Sequence, residues 1–185
     1  EVPLPFLAPS FYGLDFAEVP MLVGTFALGP VAGIVMQIVK ILIKLILKPT
    51  STGFVGEFAN VVMSCALILP AGFIYRFKKS KNGALAGMAV GTVLMAVAGV
   101  VMNALIMIPF YSNFMPIETI IKAGAAVNPA VSSVWTLAIF CVGPFNLVKG
   151  TLTSVITAVI YKRISVLIHG ASHGTSGSYG VKKAV

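Results

Sequence analysis

Residues 83–109 read GALAGMAVGTVLMAVAGVVMNALIMIP, and this stretch contains no Asp, Glu, Lys or Arg. As an α-helix rising 1.5 Å per residue it is roughly 40 Å long, which exceeds the ~30 Å hydrocarbon core of a bilayer. Gly83, Gly87, Gly91 and Gly99 are spaced at multiples of four and fall on one stripe. Small residues at this spacing let helices approach closely in lipid. We therefore predict a transmembrane helix whose Gly83, Gly87 and Gly91 face packs against a neighbouring helix and does not bind a ligand.

The composition of the whole chain is that of a membrane protein. Only 10% of its 185 residues are charged, 58% are hydrophobic, and the mean hydropathy is +1.00. A soluble domain carries about 25% charged residues, so this chain lacks the polar shell that water requires. Its net charge of +8 comes from scattered cations, most of them at the ends of apolar segments, as the positive-inside bias favours. We expect a lipid bilayer as its surroundings and no nucleic acid as a partner.

Other long apolar stretches accompany the glycine-rich one, and we predict an all-α membrane protein. These stretches are 19–47, 57–76 and 130–168. The last is expected to be interrupted at Gly143 and Pro144, and 110–128 to be a mixed loop. Residues 19–47, broken at Gly29 and Pro30, make a helix of roughly 43 Å. This length exceeds one span of the hydrocarbon core but is too short for two full spans. Residues 19–47 therefore form either one long kinked helix or two short helices, and the length does not decide between them.

The basic residues set an orientation and the domain limits. The cluster at 76–81 predicts a cytoplasmic loop, which makes 49–56 and 110–128 external and the C-terminus cytoplasmic. Lys48 is the exception, since it falls near the outside. We expect one membrane substrate-binding domain over 1–168. The Gly/Ser-rich tail 169–185 predicts a flexible polar segment, and its composition also suits an artificial extension.

Catalytic and cofactor motifs are missing from the sequence. It contains no GxGxxG, Walker A or HExxH pattern. Its histidines, His169 and His173, lie in or beside the tail, and Cys65 and Cys141 lie in apolar runs without metal-ligand spacing. We therefore expect no enzymatic activity, no metal and no cofactor.

Polar residues inside the apolar stretches are costly and call for a role. Asn146 and Lys149 are three residues apart and share a helix face, and Asn103 lies well inside its span. A carboxamide offers a donor and an acceptor, and a lysine adds a charged donor, so this set suits a ring system with C=O and N–H groups. The alternative is that each asparagine only joins neighbouring helices.

The N-terminal stretch supplies the remaining candidate residues. Residues 1–16 are rich in proline and aromatic side chains, and are either an interfacial belt or an external lid over a flat ring. Leu14 and Phe16 end this loop and belong to the candidate site. Asp15 and Glu18 flank the start of the first apolar stretch. They either cap the helix, with Asp15 as its N-cap, or contact a ligand, and the sequence favours neither role.

Distinct motifs give a family resemblance in addition. They are VPLPFLAPSFYGLDF (2–16), EVPMLVGTFALGPVAG (18–33), STGFVGEFANVV (51–62), LPAGFIYRFKK (69–79) and GPFNLVKG (143–150). Their content and order resemble the riboflavin-binding S-component of energy-coupling factor (ECF) transporters over about residues 1–168. The resemblance implies a six-helix membrane bundle whose first helix is absent from this chain. It also implies that 19–47 forms two short helices.

The same resemblance implies a function and partners. The chain would capture riboflavin from outside for uptake driven by a transmembrane scaffold (T) subunit and two ATPase subunits. Binding residues that match the family are Asn103, Asn146 and Lys149, with residues 1–16 as a lid; Asp15 and Glu18 match less securely. The alternatives are an S-component for FMN or another vitamin, and a structural membrane subunit that binds no ligand. Riboflavin or FMN would be transported ligands, not cofactors.

Overall fold

The computed structural model describes residues 2–3, 13–14, 16–47, 50 and 53–172, with side chains described between 16 and 161. In these ranges the protein is a bundle of helices with one short antiparallel strand pair. The strands are β1 (Val2–Pro3) and β2 (Gly13–Leu14), and the helices are α1 (Glu18–Leu28), α2 (Pro30–Leu47), α3 (Val55–Phe77), α4 (Lys81–Met102), α5 (Ile108–Tyr111), α6 (Ile117–Ala125), α7 (Val134–Leu137) and α8 (Gly143–Ser172). A first π-turn (Asn103–Met107) joins α4 to α5, and a second π-turn (Ala138–Val142) joins α7 to α8.

Four helical units in the described ranges are long and apolar enough to cross a bilayer. They are Pro30–Leu47, Val55–Phe77, Lys81–Tyr111 and Val134–Tyr161, which include both π-turns. Helix α1 is apolar but has only 11 residues, or roughly 16 Å of helix, which is about half a bilayer core. Together with α1 they make five helical units in the part of the chain that the structure describes, as the resemblance to an S-component implies.

The region 19–47 forms two helices because of its Gly29 and Pro30 break. Gly29 has φ +100°, a backbone conformation that residues with a Cβ rarely adopt. Pro30 then begins α2, a position where its missing N–H costs no helical hydrogen bond. The implied pair of helices, which length alone left open, is therefore confirmed.

Helix α4 packs most extensively on α3 and next on α8. A Cβ added at Gly87 would come within 2.8 Å of the Ala71 carbonyl oxygen, and one at Gly91 would collide with the carbonyl of Leu67. The predicted glycine face is thus confirmed at these two positions. Gly83 differs, because its nearest atoms belong to Lys78 in the preceding turn.

Both π-turns precede a proline. The backbone N–H of Ile108 donates to Asn103 and that of Gly143 donates to Ala138, five residues back in each case. Pro109 comes directly after Ile108, and Pro144 directly after Gly143. A proline has no N–H to donate and its ring crowds the preceding turn, and one wider turn accommodates it without ending the helix. The predicted interruption at Gly143 and Pro144 is therefore wrong: the chain stays helical there.

The loop prediction for 110–128 is wrong in its middle. Helix α6 occupies Ile117–Ala125. Ile120 is buried and Ile121 packs beside it, in a cluster with Leu137 and the second π-turn. Glu118 and Lys122, one turn apart, occupy the opposite face. A short amphipathic helix thus covers this end of the bundle.

The two ends of the chain are described in part. Helix α8 continues to Ser172, beyond the start of the predicted tail, and the rest of the tail lies outside the described residues. At the other end, Val2 pairs with Leu14 and Pro3 with Gly13. The predicted lid begins and ends at this pairing, while residues 4–12 lie outside the described ranges.

Replacing Gly87 by Leu should destabilise the bundle, because the new side chain meets the α3 backbone near Ala71, which cannot move aside cheaply. Overpacking of this kind costs about 1–3 kcal/mol. Thermal unfolding in detergent should therefore shift to lower temperature. The matched control is Ala86→Leu on the exposed face of the same turn, which should unfold like the unmodified protein. Equal stability of the two variants would contradict the packing role of Gly87.

Candidate functional site

A buried ion pair links the start of α1 to α8. Glu18 is the first residue of α1 and is completely buried. Its Oε1 lies 2.9 Å from Nζ of Lys149 and accepts a hydrogen bond of 3.2 Å from Oγ of Ser64 on α3. A charge inside a membrane protein is expensive unless paired, and this pairing ties three helices together at one carboxylate.

A second lysine shares the same carboxylate. Nζ of Lys40 on α2 lies 3.9 Å from the Oε1 of Glu18 that Lys149 also contacts. The α1 N-terminus adds a positive partial charge, which favours a carboxylate in the first turn. Glu18 is therefore the common negative group for two ammonium groups and one helix end. No local pattern in the sequence connects Lys40 to Glu18, because the two residues lie on different helices.

Asn146 and Lys149 lie on one buried face of α8, as their spacing predicts. Their exposed fractions are 3% and 6%. The Asn146 Nδ2 donates to the carbonyl of Val142 at 2.9 Å. A carboxamide has a second N–H and an acceptor oxygen, so Asn146 can form further hydrogen bonds as a donor and as an acceptor.

Asn103 approaches Asn146 through Gly99. The Asn103 Nδ2 donates to the Gly99 carbonyl at 2.8 Å, and Asn103 is 2% exposed. A Cβ added at Gly99 would come within 2.5 Å of the Asn146 Nδ2. The two carboxamides therefore converge on one glycine, where α4 meets α8. The glycine stripe was the sequence signal for this approach, but it did not indicate which residue faced Gly99.

The π-turns occur beside these asparagines. Asn103 is the first residue of one π-turn, and Asn146 follows the other by four residues. Wider turns of this kind are frequent at functional sites because they re-aim side chains. Both carboxamides therefore lie close to irregular helix geometry, and the paired Lys149 is one turn beyond Asn146 on α8.

A further polar seam joins α2 to α3. Gln37 is fully buried, and its Nε2 donates to Oδ1 of Asn60 at 3.0 Å. Lys44 lies 3.8 Å from Glu57, which also accepts a hydrogen bond of 2.9 Å from Thr50. Glu57, in the first turn of α3, thus has a lysine and a threonine as partners. Lys40 and Lys44, four residues apart, each face a carboxylate.

The N-terminal candidates have mixed outcomes. The N-cap of α1 is Ala17, without a side-chain cap. Of the two roles left open for Asp15, that of N-cap is therefore wrong; Asp15 itself lies outside the described residues. Leu14 pairs with Val2 through β2. Phe16 is 42% exposed and lies two residues before the buried Glu18. The ligand contacts expected of Leu14, Asp15 and Phe16 stay predictions.

The matching family decides what kind of protein this is. The family model of the ECF transporter substrate-specific component matches residues 2–161. The chain belongs to this family. The expected S-component is thereby confirmed, and so is the expectation of a transport component that is not an enzyme. As a membrane-embedded substrate-specific component, the chain works with the transmembrane and ATPase subunits of an ECF transporter.

Individual relatives cover most of the chain. Riboflavin transporter RibU of Staphylococcus aureus (strain TCH60) is 29% identical over 165 residues, covering 89% of this chain and 80% of that protein. Riboflavin transporter FmnP of Bacillus subtilis (strain 168) is 27% identical over 159 residues, covering 84% and 78%. A solved S component of a bacterial ECF transporter superposes with a TM-score of 0.68 at 29% identity, covering 90% of this chain and 84% of that one.

The ion pair generates a stability prediction. Glu18→Gln should lower the thermal unfolding temperature, because it leaves Lys149 and Lys40 buried without their shared carboxylate. Breaking a buried pair from one side costs about 3–5 kcal/mol. Adding Lys149→Met should recover part of this loss, since it removes one of the stranded charges. Thermal unfolding of the single and double variants measures both effects, and a double variant less stable than Glu18→Gln alone would contradict the pairing.

Proposed function

We propose that this S-component captures riboflavin from the external side of the cell membrane for ATP-driven uptake by its partner subunits. The observation that supports this most directly is that the buried Asn103 and Asn146 converge on Gly99 at the α4–α8 contact, with the buried Lys149 one turn beyond Asn146 on the same face of α8. Relatives that cover most of the chain are named riboflavin transporters, which supports the same substrate.

The chemistry of these residues suits a flavin. The dione edge of its ring system alternates carbonyl acceptors with an imide N–H. Two carboxamides offer donors and acceptors, and the Lys149 ammonium offers a charged donor for a carbonyl. In a membrane interior, where water does not compete, such bonds select strongly for a ligand that satisfies them. Asn103, Asn146 and Lys149 are thus proposed as the ligand-binding residues.

The N-terminal segment is proposed as the external lid. Its two ends meet at the β1–β2 pairing, and the chain then reaches Glu18 within four residues of Leu14. A loop anchored at this point begins beside the proposed site. Leu14, Asp15 and Phe16 would then border the ligand from the lid side, as the resemblance implies.

The orientation and subunit composition complete the proposal. The basic residues around 76–81 support a cytoplasmic position for that loop, and the C-terminus would then also be cytoplasmic. Two ATPase subunits and a T subunit would supply the power stroke. The chain itself would bind substrate and hydrolyse no nucleotide.

Ligand identification tests the proposal directly. The purified protein should carry a yellow chromophore that mass spectrometry identifies as riboflavin. Titration of stripped protein with riboflavin should quench flavin fluorescence, whereas a different vitamin such as thiamine should not compete. Co-purified FMN would revise the substrate. Failure to bind any flavin would refute the proposal and favour a structural subunit.

Replacing Asn146 by Ala should weaken riboflavin binding roughly tenfold, because an unmade hydrogen bond at a buried site costs about 1–3 kcal/mol. The matched control is Asn82→Ala at the exposed start of α4, which should bind like the unmodified protein. Fluorescence quenching gives both dissociation constants. An Asn146 variant with unchanged affinity would remove this residue from the site.

A further inference from the structure

We propose that Glu18 is a positioning residue for substrate recognition: it orients and neutralises Lys149 without touching the ligand. This inference rests on the proposed function, because it assigns the contact with riboflavin to Lys149. It gives Glu18 a different role from direct binding, which the sequence left open.

The first support is the difference in access between the two partners. The Glu18 side chain is 0% exposed, whereas the Lys149 side chain keeps 7%. Oε1 of Glu18 is occupied by Lys149 and Ser64. The other oxygen, Oε2, is buried without a hydrogen-bond partner among the described residues. A carboxylate can only accept hydrogen bonds, so the ammonium of Lys149 is the group that can donate to a ligand carbonyl.

The second support is preorganisation. A lysine has four rotatable side-chain bonds and loses conformational freedom whenever it is fixed. The 2.9 Å contact with Glu18 fixes the ammonium before a ligand arrives, and Ser64 fixes the carboxylate in turn. Groups ordered in advance give tighter binding because the ordering cost is already met in the free protein.

The third support is charge. Lys149 and Lys40 approach the same oxygen at 2.9 and 3.9 Å. Without the carboxylate, two buried ammonium groups would repel each other, and Lys149 would turn away from this region. Glu18 therefore holds Lys149 on the face it shares with Asn146.

The test is a double-mutant cycle on riboflavin affinity. Glu18→Gln, Lys149→Met and the double variant are compared with the unmodified protein by fluorescence quenching. Glu18→Gln should weaken binding at least tenfold. In the Lys149→Met background the same change should alter affinity less than twofold, because a residue that acts through Lys149 has nothing left to position.

The chain offers a matched control. Glu57 is also a largely buried carboxylate in the first turn of a helix, with a lysine and a hydroxyl as partners. Glu57→Gln should leave riboflavin affinity within twofold of the unmodified protein. Glu18→Asp keeps the charge and should recover part of the lost affinity, and it replaces Glu18→Gln in the cycle if the latter does not fold.

The bound flavin supplies a second readout that a general loss of stability would not move. Its visible absorption bands shift when hydrogen bonds to its carbonyls change, so the spectra in Glu18→Gln and Lys149→Met should shift in the same direction. Equal losses of affinity from Glu18→Gln in both backgrounds, or none in either, would overturn the positioning role. Absence of riboflavin binding in the unmodified protein would instead refute the proposed function.

Discussion

The buried carboxylate of Glu18 is the interaction on which the bundle's interior depends. A membrane-embedded protein has no water with which to satisfy a charge, so each ionised group needs its counter-charge inside the fold. The Glu18 carboxylate pairs with two lysines from different helices and accepts a hydrogen bond from a serine on a third helix. These contacts fix the position of the short helix α1 in the bundle. Its apolar side chains alone would specify that position poorly, because they are similar to one another.

Much of the fold follows from composition and length. Apolar stretches long enough to cross a bilayer leave few alternatives to transmembrane helices, because backbone groups must be satisfied within the segment. The limits of this reasoning lie at 19–47 and 110–128. Length cannot separate one bent helix from two short ones, and α6, with Glu118 and Lys122 on one face, is too short and too mixed to stand out from a loop.

The site was predictable where its signal was local. Asn146 and Lys149 share a face because of their spacing, and burial follows from the apolar residues around them. The pairing of Lys149 with Glu18 was not predictable, since it joins opposite ends of the chain and depends on how α1 packs against α8. The spacing of Gly99 from the other glycines of α4 predicted a close helix contact. That the Asn146 carboxamide is the group in contact follows only from the folded structure.

Each π-turn changes the screw phase of its helix. One extra residue in a turn rotates everything beyond it by about 100° relative to an uninterrupted α-helix. The stretch from Lys81 to Tyr111 therefore contains two phases that meet at the first π-turn. A pattern of inward-facing residues that repeats about every 3.6 residues before the π-turn therefore does not continue in the same register after it. Deleting one residue inside that turn would keep the helix and its length almost unchanged, yet it would point a different set of side chains at the neighbouring helices.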